Sequence, residues 1–467
     1  MTLSSVSQAR PFIASASARP SASASEQAPV SGDSVTLGQQ QPPAQQPPAQ
    51  QPPAQQPPAQ QPPTQPTPPQ QPPAPPQPEL KEWTVLVYSV SDNNLYSYMQ
   101  TDLDEAERIG STNEMNLLTE TSHQPRGGSV VRMKLETDNT PGLKSPVLQD
   151  LGKNYDMGKS QSLSESIAWA MKEYPSKHFM VILSDHGGGW QGANQSESQN
   201  SWMNISDIEA GLKGAQQLTG KKVDVLGFDE CLMASTEVAH ALQGCADYMV
   251  GSEEVEGGAG WQYDEALGGA KTTNSNSRVL NPKLLNYAAT ALRARDTITP
   301  ESMAKGIVQM AEGHQRDLGV MSAINLNKMG AVSAAVDNFA GAVLDSNLGK
   351  ADFAPVAQAT QKFYRFADLG HFTELAGQKF GGKIAEAAAG VKQAMSEAVV
   401  AEQHSTKYPN AKGLNIEINR QAGFVENGPA DIPNMSQENR DRINTTPYKD
   451  QKWAQETRWD EMLRKVR

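Results

Sequence analysis

Short, strongly apolar runs alternate with amphipathic ones through the middle of this chain, and that alternation predicts its elements. Thr84 to Val90 reads as a buried strand. The turn Ser91-Asp92-Asn93-Asn94-Leu95 follows. Leu95, Met99, Leu103 and Ala106 then recur at helical spacing up to Gly110. Met115 to Thr121 is a shorter strand, and Val130 to Leu135 fits one arm of an added hairpin. Ser162-Leu163-Ser164-Glu165 has the form of a capping box, opening a helix that runs to Tyr174 and is stopped by Pro175. His178 to Leu183 is the next strand. Gln191 to Asn200 is polar and reads as an exposed loop. A second capping box, Ser206-Asp207-Ile208-Glu209, opens a helix to about Leu218, with Thr219-Gly220 as its stop. Val223 to Phe228 is a strand, Leu232 to Leu242 a helix, and Tyr248 to Gly251 a strand. Strand and helix alternating in this way predict right-handed βαβ units and a mainly parallel sheet covered on both faces, an α/β fold.

The remainder reads as more helical. A Gly/Asn/Ser-rich loop from Gly257 to Asn276 precedes a helix opened by Asn281-Pro282. Gly319 to Leu326 fits one more strand, and helices cover much of Lys328 to Val400. Gly413 to Ile418 alternates apolar and polar residues as a half-buried strand does. Trp453, Trp459, Met462 and Leu463 mark a closing amphipathic helix.

Composition changes the picture most at the N-terminus. Residues 1–40 are rich in Ser, Ala and Gln and cannot bury enough apolar surface to offset the entropy of ordering, so they read as disordered. Residues 41–80 repeat Gln-Gln-Pro-Pro-Ala almost without variation. At about 3.1 Å per residue in polyproline II, such a linker reaches on the order of 100 Å. It reads as a semi-rigid spacer, or as a docking segment for an aromatic groove on a partner. The net charge of −12, with no Lys/Arg block, argues against nucleic acid as the main partner. No run approaches the length of a membrane span, and the first residues lack the charged and apolar regions of a secretory signal. Two cysteines, Cys231 and Cys245, exclude a disulfide framework.

The candidate chemistry lies in two motifs that each follow an apolar run. These are His186-Gly187-Gly188-Gly189-Trp190 and Asp229-Glu230-Cys231-Leu232-Met233. Loops at the carboxyl edge of a parallel sheet are where ligands meet reactive side chains. A Cys opening a helix would have its thiolate favoured by the helix N-terminus, and one βαβ crossover can set the two strand ends side by side. Glycines after His186 leave backbone N–H groups unobstructed, so the amides of Gly187 and Cys231 could form an oxyanion hole. Taken singly, a buried Cys at a strand end is a packing residue more often than a nucleophile, and three glycines can be only a tight turn. His-Gly-Gly-Gly also occurs in lipase-like hydrolases, but those need a Gly-x-Ser-x-Gly elbow and none is present. The glycine spacing fits neither a P-loop nor a dinucleotide fingerprint.

Asp185 to Trp190, Phe228 to Met233 with Glu237, Asp92-Asn93-Asn94-Leu95, Gly251 to Glu254, Gly260 to Tyr263, Asp368 to Phe372 and Lys412-Gly413-Leu414 together resemble the clostripain-like cysteine peptidases. These are relatives of caspases, gingipains, legumains and separase. The resemblance implies a caspase-like α/β sandwich, with residues 81–275 as catalytic core and 276–467 as a mainly helical part packed on it. It implies hydrolysis after Arg or Lys by a Cys-His dyad, with Cys231 as nucleophile, His186 as acid/base, and the Gly187 and Cys231 amides as oxyanion hole. Asp229 falls at the acidic position on the floor of the S1 pocket, where a carboxylate would pair with a cationic P1 side chain. Its alternative is a helix-capping or loop-bracing carboxylate. Ser252 and Glu254 are expected to wall the same pocket, and Cys245 and His371 to be structural. Substrates would be proteins or peptides with Arg or Lys at P1. An extracellular location follows by resemblance only. No cofactor is required, while metal, and calcium in particular, is left open, since no loop has EF-hand spacing. One departure stands out: Gly187 to Leu212 contains no Lys or Arg, so self-cleavage there is not expected, with Lys213, Lys221 or Lys222 as alternatives. Two other functions stay open: a catalytically idle binding or adhesion module displayed on the Pro-rich stalk, and a transpeptidase that resolves the acyl-enzyme with an amine.

Overall fold

Alternate residues of the first strand, β1 (Lys81–Ser89), enter two different hydrophobic cores. Trp83, Val85 and Val87 belong to one, while Leu86, Tyr88 and the following Val90 belong to the other. β5 (Ser176–Ser184) does the same, sending Met180 and Ile182 to the first core and Val181 and Leu183 to the second. A sheet apolar on both faces must be covered on both, which is the condition for a parallel sheet between helical layers. The structure, a computed structural model, describes residues 80–123, 127–263, 298–310, 319–418 and 446–467. They fall within the unit Pro76–Arg467. The Ser/Ala-rich segment, the Pro-rich repeat and the helix expected at Asn281-Pro282 lie outside the described residues.

In chain order β1 is followed by α1 (Tyr96–Ile109), β2 (Met115–His123), β3 (Ser129–Lys134), β4 (Val147–Gly152), α2 (Ser160–Glu173) and β5. Next come β6 (Ala193–Ser196), β7 (Ser201–Met203), α3 (Ile205–Thr219), β8 (Val223–Asp229), α4 (Thr236–Ala241) and β9 (Ala246–Gly251). The later elements are α5 (Pro300–Met310), β10 (Val320–Asn325), α6 (Met329–Leu344), α7 (Lys350–Ala359), β11 (Lys362–Phe363) and β12 (Phe366–Asp368). The chain closes with α8 (Leu369–Phe380), α9 (Gly382–Ala398), β13 (Val399–His404), β14 (Asn415–Ile416), α10 (Lys452–Glu456) and α11 (Trp459–Val466).

Nine strands form one sheet in the order β13-β10-β9-β8-β5-β1-β2-β3-β4. The five central strands from β9 to β2 are parallel, and antiparallel strands extend the sheet on both sides. Helices α1 and α5 pack on one face through Leu103, Ile109, Met303 and Ile307, and α2, α3, α4, α6 and α9 on the other. The expected α/β sandwich around a mainly parallel sheet is therefore what forms. Residues beyond 275 do more than pack on the core, since β10 and β13 continue its sheet.

Local differences from the sequence reading have physical causes. α2 starts at Ser160, and the Ser162 hydroxyl donates to the Asp156 carbonyl inside the first turn instead of capping it. α3 is capped by Asn204, whose side chain pairs reciprocally with Asp207, two residues ahead of the expected box. Helix was expected as far as Val400, but Val399–His404 is a strand that closes the sheet against β10. Residues 413–418 are buried throughout, not on one face. The C-terminal helix is two helices broken at Thr457 and Arg458, and the Trp459 indole donates to the Glu417 carbonyl across 2.8 Å.

Gln191 to Ser196 is also buried, although its composition reads as exposed loop. The polar groups are internal braces. The Trp202 indole donates to the Gln191 carbonyl at 2.7 Å, Asn93 donates to the Gln195 carbonyl at 2.9 Å, and the Gln195 amide donates to the Asp185 carboxylate. Only the tip around Glu197 to Asn200 meets solvent.

Beyond β9, Glu253 and Asp368 are buried together. Asp368 caps α8 by accepting from the His371 amide, and Glu253 accepts from the Gly413 amide at 3.0 Å. Burial pushes Asp368 up to about 7, against the lowering effect of its backbone N–H partners. Glu253 is also raised well above its ordinary value, first by burial and then by the Asp368 and Glu402 charges. Both carboxyls bind protons more tightly folded than unfolded, so their contribution is complete below the ordinary carboxylate pKa of about 4 and is lost as pH rises, for Asp368 through about 7. Glu253→Gln, neutral at every pH, is expected to gain melting temperature over the parent by an amount that grows from about pH 5 to about pH 8. A pH-independent difference in thermal scans would contradict this.

Candidate active site

The register between β5 and β8 sets the site. They run parallel with Ser184 opposite Asp229, and each chain then continues two residues to a reactive side chain, His186 on one and Cys231 on the other. The Asp185 amide still reaches the Asp229 carbonyl, at 3.4 Å. Beyond it the His loop turns back as Gly187 pairs with Ala193 and the Asn194 amide donates to the His186 carbonyl at 3.1 Å. A Cβ on Gly187 would lie 2.3 Å from the Cys231 carbonyl oxygen and 3.0 Å from the Cys231 nitrogen. The two loops thus touch backbone to backbone, and only glycine fits between them.

Cys231 does not open a helix. It sits in a turn, Leu232 takes a left-handed φ of 69°, and α4 begins only at Thr236. The expected help from a helix N-terminus is absent at the thiol, because four residues of turn intervene. Hydrogen bonds hold that turn instead. The Leu232 amide donates to the Glu254 carbonyl at 3.1 Å and the Ala234 amide to the Ser252 carbonyl at 2.8 Å. The Asn415 side-chain amide, from β14, donates to the carbonyls of Leu232 at 3.1 Å and Glu253 at 2.9 Å.

His186 and Cys231 line one small cavity of about 80 Å³ together with Asp229, Glu230, Glu256 and Asp102. Both are almost fully buried, 2% exposed for His186 and 8% for Cys231. Burial alone lowers the imidazole to about 4. It pushes the thiol up to about 12, with the Glu256 charge as the next contribution. At neutral pH the pair is therefore thiol and neutral imidazole, not a preformed ion pair. His186 Nε2 lies 2.8 Å from Asn94 Oδ1, and Cys231 Sγ 3.9 Å from the Glu256 carbonyl oxygen.

Asp229 is fixed from two sides. Its Oδ1 accepts from the Trp261 amide at 2.8 Å and its Oδ2 from the Tyr263 hydroxyl at 3.0 Å. Trp261 fits because β8 has Gly227 beneath it, where a Cβ would come within 2.8 Å of the indole. Burial raises Asp229 to about 6, the two donors pulling against it. Glu256, Glu230 and Asp102 are pushed well above the carboxylate range, first by burial and then by neighbouring carboxylates. With its carboxyl raised only to about 6, Asp229 is ionised at neutral pH, while burial and mutual repulsion oppose ionisation of the acids around it.

Ser252 and Glu254 do not line the cavity with these residues. Their carbonyls anchor the Cys231 turn, and the Glu254 carboxylate accepts from the Val255 and Tyr364 amides at 2.8 and 3.2 Å. Cys245 is buried away from the cavity, and His371 Nδ1 accepts from the Gln361 amide at 2.9 Å. Sequence reasoning assigned no role to Asn94, Glu256, Asp102 or Asn415. Asn94 had a signal in the polar turn after β1. The others come from elements far apart in the chain, with no local pattern to mark them. Among the described residues no group of three or more His, Cys, Asp or Glu is placed to hold a metal ion. No described helix is long and apolar enough to cross a membrane.

An α/β sandwich that presents a His and a Cys at neighbouring parallel strand ends, beside an acid-lined cavity, defines a narrow class. The chain belongs to the clostripain family, peptidase family C11, whose model matches residues 87–465. It is 24% identical over 302 residues to clostripain of Hathewaya histolytica, a match covering 55% of each, so it spans about half the length of that relative. Two solved structures share the fold. The inactive zymogen of a C11 protease from Parabacteroides distasonis is 20% identical, with a TM-score of 0.55 over 82% of this chain and 99% of that one. A secreted C11 cysteine protease from Bacteroides thetaiotaomicron, in complex with an irreversible peptide inhibitor, is 20% identical, with a TM-score of 0.52 over 81% and 100%.

Gly187→Ala tests the backbone contact. The added methyl must displace either the His or the Cys loop, so melting temperature is expected to fall by several degrees and alkylation of Cys231 by an iodoacetyl reagent to change at least about fivefold, with Cys245 as internal reference. Parent-like values for both would mean that the loops do not meet as described.

Proposed function

We propose that the chain is a cysteine endopeptidase that cleaves after Arg or Lys through an acyl-enzyme. The observation that carries this is one cavity holding Cys231, His186 and an ionised Asp229 fixed by Trp261 and Tyr263. Neutral His186 takes the thiol proton as Sγ attacks the scissile carbonyl carbon. The oxyanion that forms is received by the Gly187 and Cys231 amides. The imidazolium then protonates the leaving amine, the C–N bond breaks, and a thioester remains on Cys231. Water, deprotonated by His186, attacks the thioester, and the thiol returns with the carboxylic acid product. Asp229 pairs with the P1 guanidinium or ammonium, which in a buried site needs an opposite charge more than it needs room. Calcium enters no step of this scheme.

Self-cleavage between the His and Cys strands has little to act on. No Lys or Arg occurs from Gly187 to Leu212, and Lys213 lies inside α3 bonded to Glu209 at 2.6 Å. Lys221 and Lys222, between α3 and β8, are the remaining basic residues there, so the proposed enzyme either works uncut in the Gly187 to Leu212 segment or is opened in it by another peptidase. An extracellular site of action rests on likeness to the secreted Bacteroides thetaiotaomicron protein alone.

The buried, elevated thiol gives the idle binding module its one specific support. Peptidic substrates with Arg, Lys, Asp or Asn at P1 separate the readings, beside Cys231→Ala. Turnover confined to Arg and Lys and abolished in the variant is expected. No turnover, and no labelling by an Arg-directed alkylating peptide, would favour the binding module. An added amine that captures the acyl group in preference to water would favour a transpeptidase.

Asp229 sets the pH dependence. The free enzyme binds a cationic P1 only with this carboxylate ionised, so kcat/KM for an Arg substrate is expected to fall as pH drops through about 6. Asp229→Asn should lose at least about a hundredfold in kcat/KM on that substrate. An Asp229→Asn protein with parent-like kcat/KM would remove the specificity role.

A further inference from the structure

The geometry points to a second binding site, separate from the active-site cavity, for a carboxylate with an apolar tail, whose occupancy tightens the turn that carries Cys231. A cavity of about 570 Å³ opens between α8, α9 and β13, within the range of about 300 to 1,000 Å³ that small-molecule sites occupy. It shares no lining residue with the cavity of His186 and Cys231. Met395, Val399 and Ala411 give it apolar walls, and Lys392 and Lys412 supply its cations. Lys412 lies against α8 because residue 370 is glycine, where a Cβ would come within 3.0 Å of the lysine Cβ and Cγ.

The acids of this cavity are engaged and the lysines are not. Glu402 Oε1 lies 2.8 Å from His404 Nδ1, and Glu374 Oε1 accepts from the Gln378 side-chain amide at 3.1 Å. Burial raises the Glu402 carboxyl, against the pull of His404 and then of the Lys412 charge. Lys392 and Lys412 have no ion pair among the described residues. Two ammonium groups beside an apolar wall suit an anion with a hydrocarbon body, the head paired with lysine and the chain removed from water. Glu374 and Glu402 would repel a second negative charge, so the ligand is a monoanion and not a phosphate or a dicarboxylate.

The chain leads from this cavity to the nucleophile turn in three residues. The Lys412 amide donates to the Asp368 carboxylate at 2.6 Å and the Gly413 amide to Glu253 at 3.0 Å. Gly413, at a left-handed φ of 97°, passes so close to the cavity wall that a Cβ there would lie 2.7 Å from Val399 Cγ1. Asn415 then grips the turn itself. Its backbone amide donates to the Ala234 carbonyl at 2.9 Å and its side chain to the Leu232 carbonyl at 3.1 Å. Cys231 is 8% exposed, so a reagent reaches it only when this turn opens. A ligand that joins Lys412 to α9 and packs on Val399 binds the closed arrangement and lowers that opening by mass action.

The full chain is titrated by calorimetry with octanoate and with octylamine. Alkylation of Cys231 by iodoacetamide is followed with and without saturating octanoate, Cys245 serving as internal reference. Octanoate is expected to bind at one site per chain, and octylamine at least about tenfold more weakly. Lys392→Gln and Lys412→Gln should each weaken octanoate by about twofold to about fivefold, the range of an exposed ion pair. Ser396→Trp, which fills the cavity from α9, should abolish binding. Saturating octanoate should slow Cys231 alkylation at least about threefold relative to Cys245, and Ser396→Trp should not respond to it. Equal binding of octylamine, or octanoate binding untouched by all three substitutions, overturns the site. An unchanged alkylation ratio in octanoate-saturated protein overturns its coupling to Cys231. Neither readout uses turnover: an active peptidase that ignores octanoate sinks this site alone, and an octanoate-responsive chain that cleaves nothing sinks only the peptidase reading.

Discussion

Everything at the site depends on one register, Ser184 of β5 opposite Asp229 of β8. Parallel strands paired in this register end together, so the residues two beyond each partner arrive side by side. Slipping the pair by one residue would also send Val181 and Leu183 toward the wrong core. The hydrophobic demand of the two helical layers therefore fixes the alignment that the chemistry needs. Gly187 completes it, since a side chain there would push the two loops apart. Asn415, reaching in from β14, ties the Cys231 turn to the segment after β9. The C-terminal third of the chain thus takes part in holding the nucleophile loop, through bonds made by residues 184 positions downstream of Cys231.

Much of this was legible in the sequence. The strands stood out because each is a run buried on both faces, and the two motifs stood out because glycines and a lone Cys and His follow such runs. What was not legible was governed by hydrogen bonds between distant residues. Gln191 to Ser196 is polar and reads as loop, yet its amides and carbonyls are consumed by Asn93, Asp185 and Trp202. Leu232 to Ser235 has helical composition, yet the pull of the Ser252 and Glu254 carbonyls holds it as a turn and delays α4 to Thr236. The helix caps fall three residues earlier than expected at α2 and two earlier at α3, because several polar residues near each start could serve as the cap. Val399–His404 follows a long helix without a breaker, and only pairing with β10 makes it a strand.

The candidate site divides the same way. His186, Cys231, Gly187 and Asp229 meet because they lie within two residues of paired strand ends, which pattern can reveal. Ser252 and Glu254 were expected beside Asp229, but the chain bends so that their carbonyls face the Cys231 turn and other groups fill the cavity wall. Glu256 and Asp102 take that place, one from a loop and one from α1. Neither position carries a sequence signal, since an acidic residue on a helix is ordinarily read as a solvated face.

The clustering of acids around a buried thiol has a further consequence for the proposed chemistry. Carboxylates near Cys231 oppose its ionisation, and burial opposes it more, which is why the thiol is held at about 12. A helix N-terminus is not there to offset them. The cationic P1 side chain that Asp229 would select brings the one charge of opposite sign into the same cavity. It neutralises part of the field that disfavours the thiolate while it excludes water from around the sulfur. On the proposed reading, specificity and reactivity are coupled through electrostatics: the substrate that fits is also the one that eases proton transfer to His186. A neutral or acidic P1 residue would leave the carboxylate field uncompensated, and would be rejected at the chemical step as well as in binding.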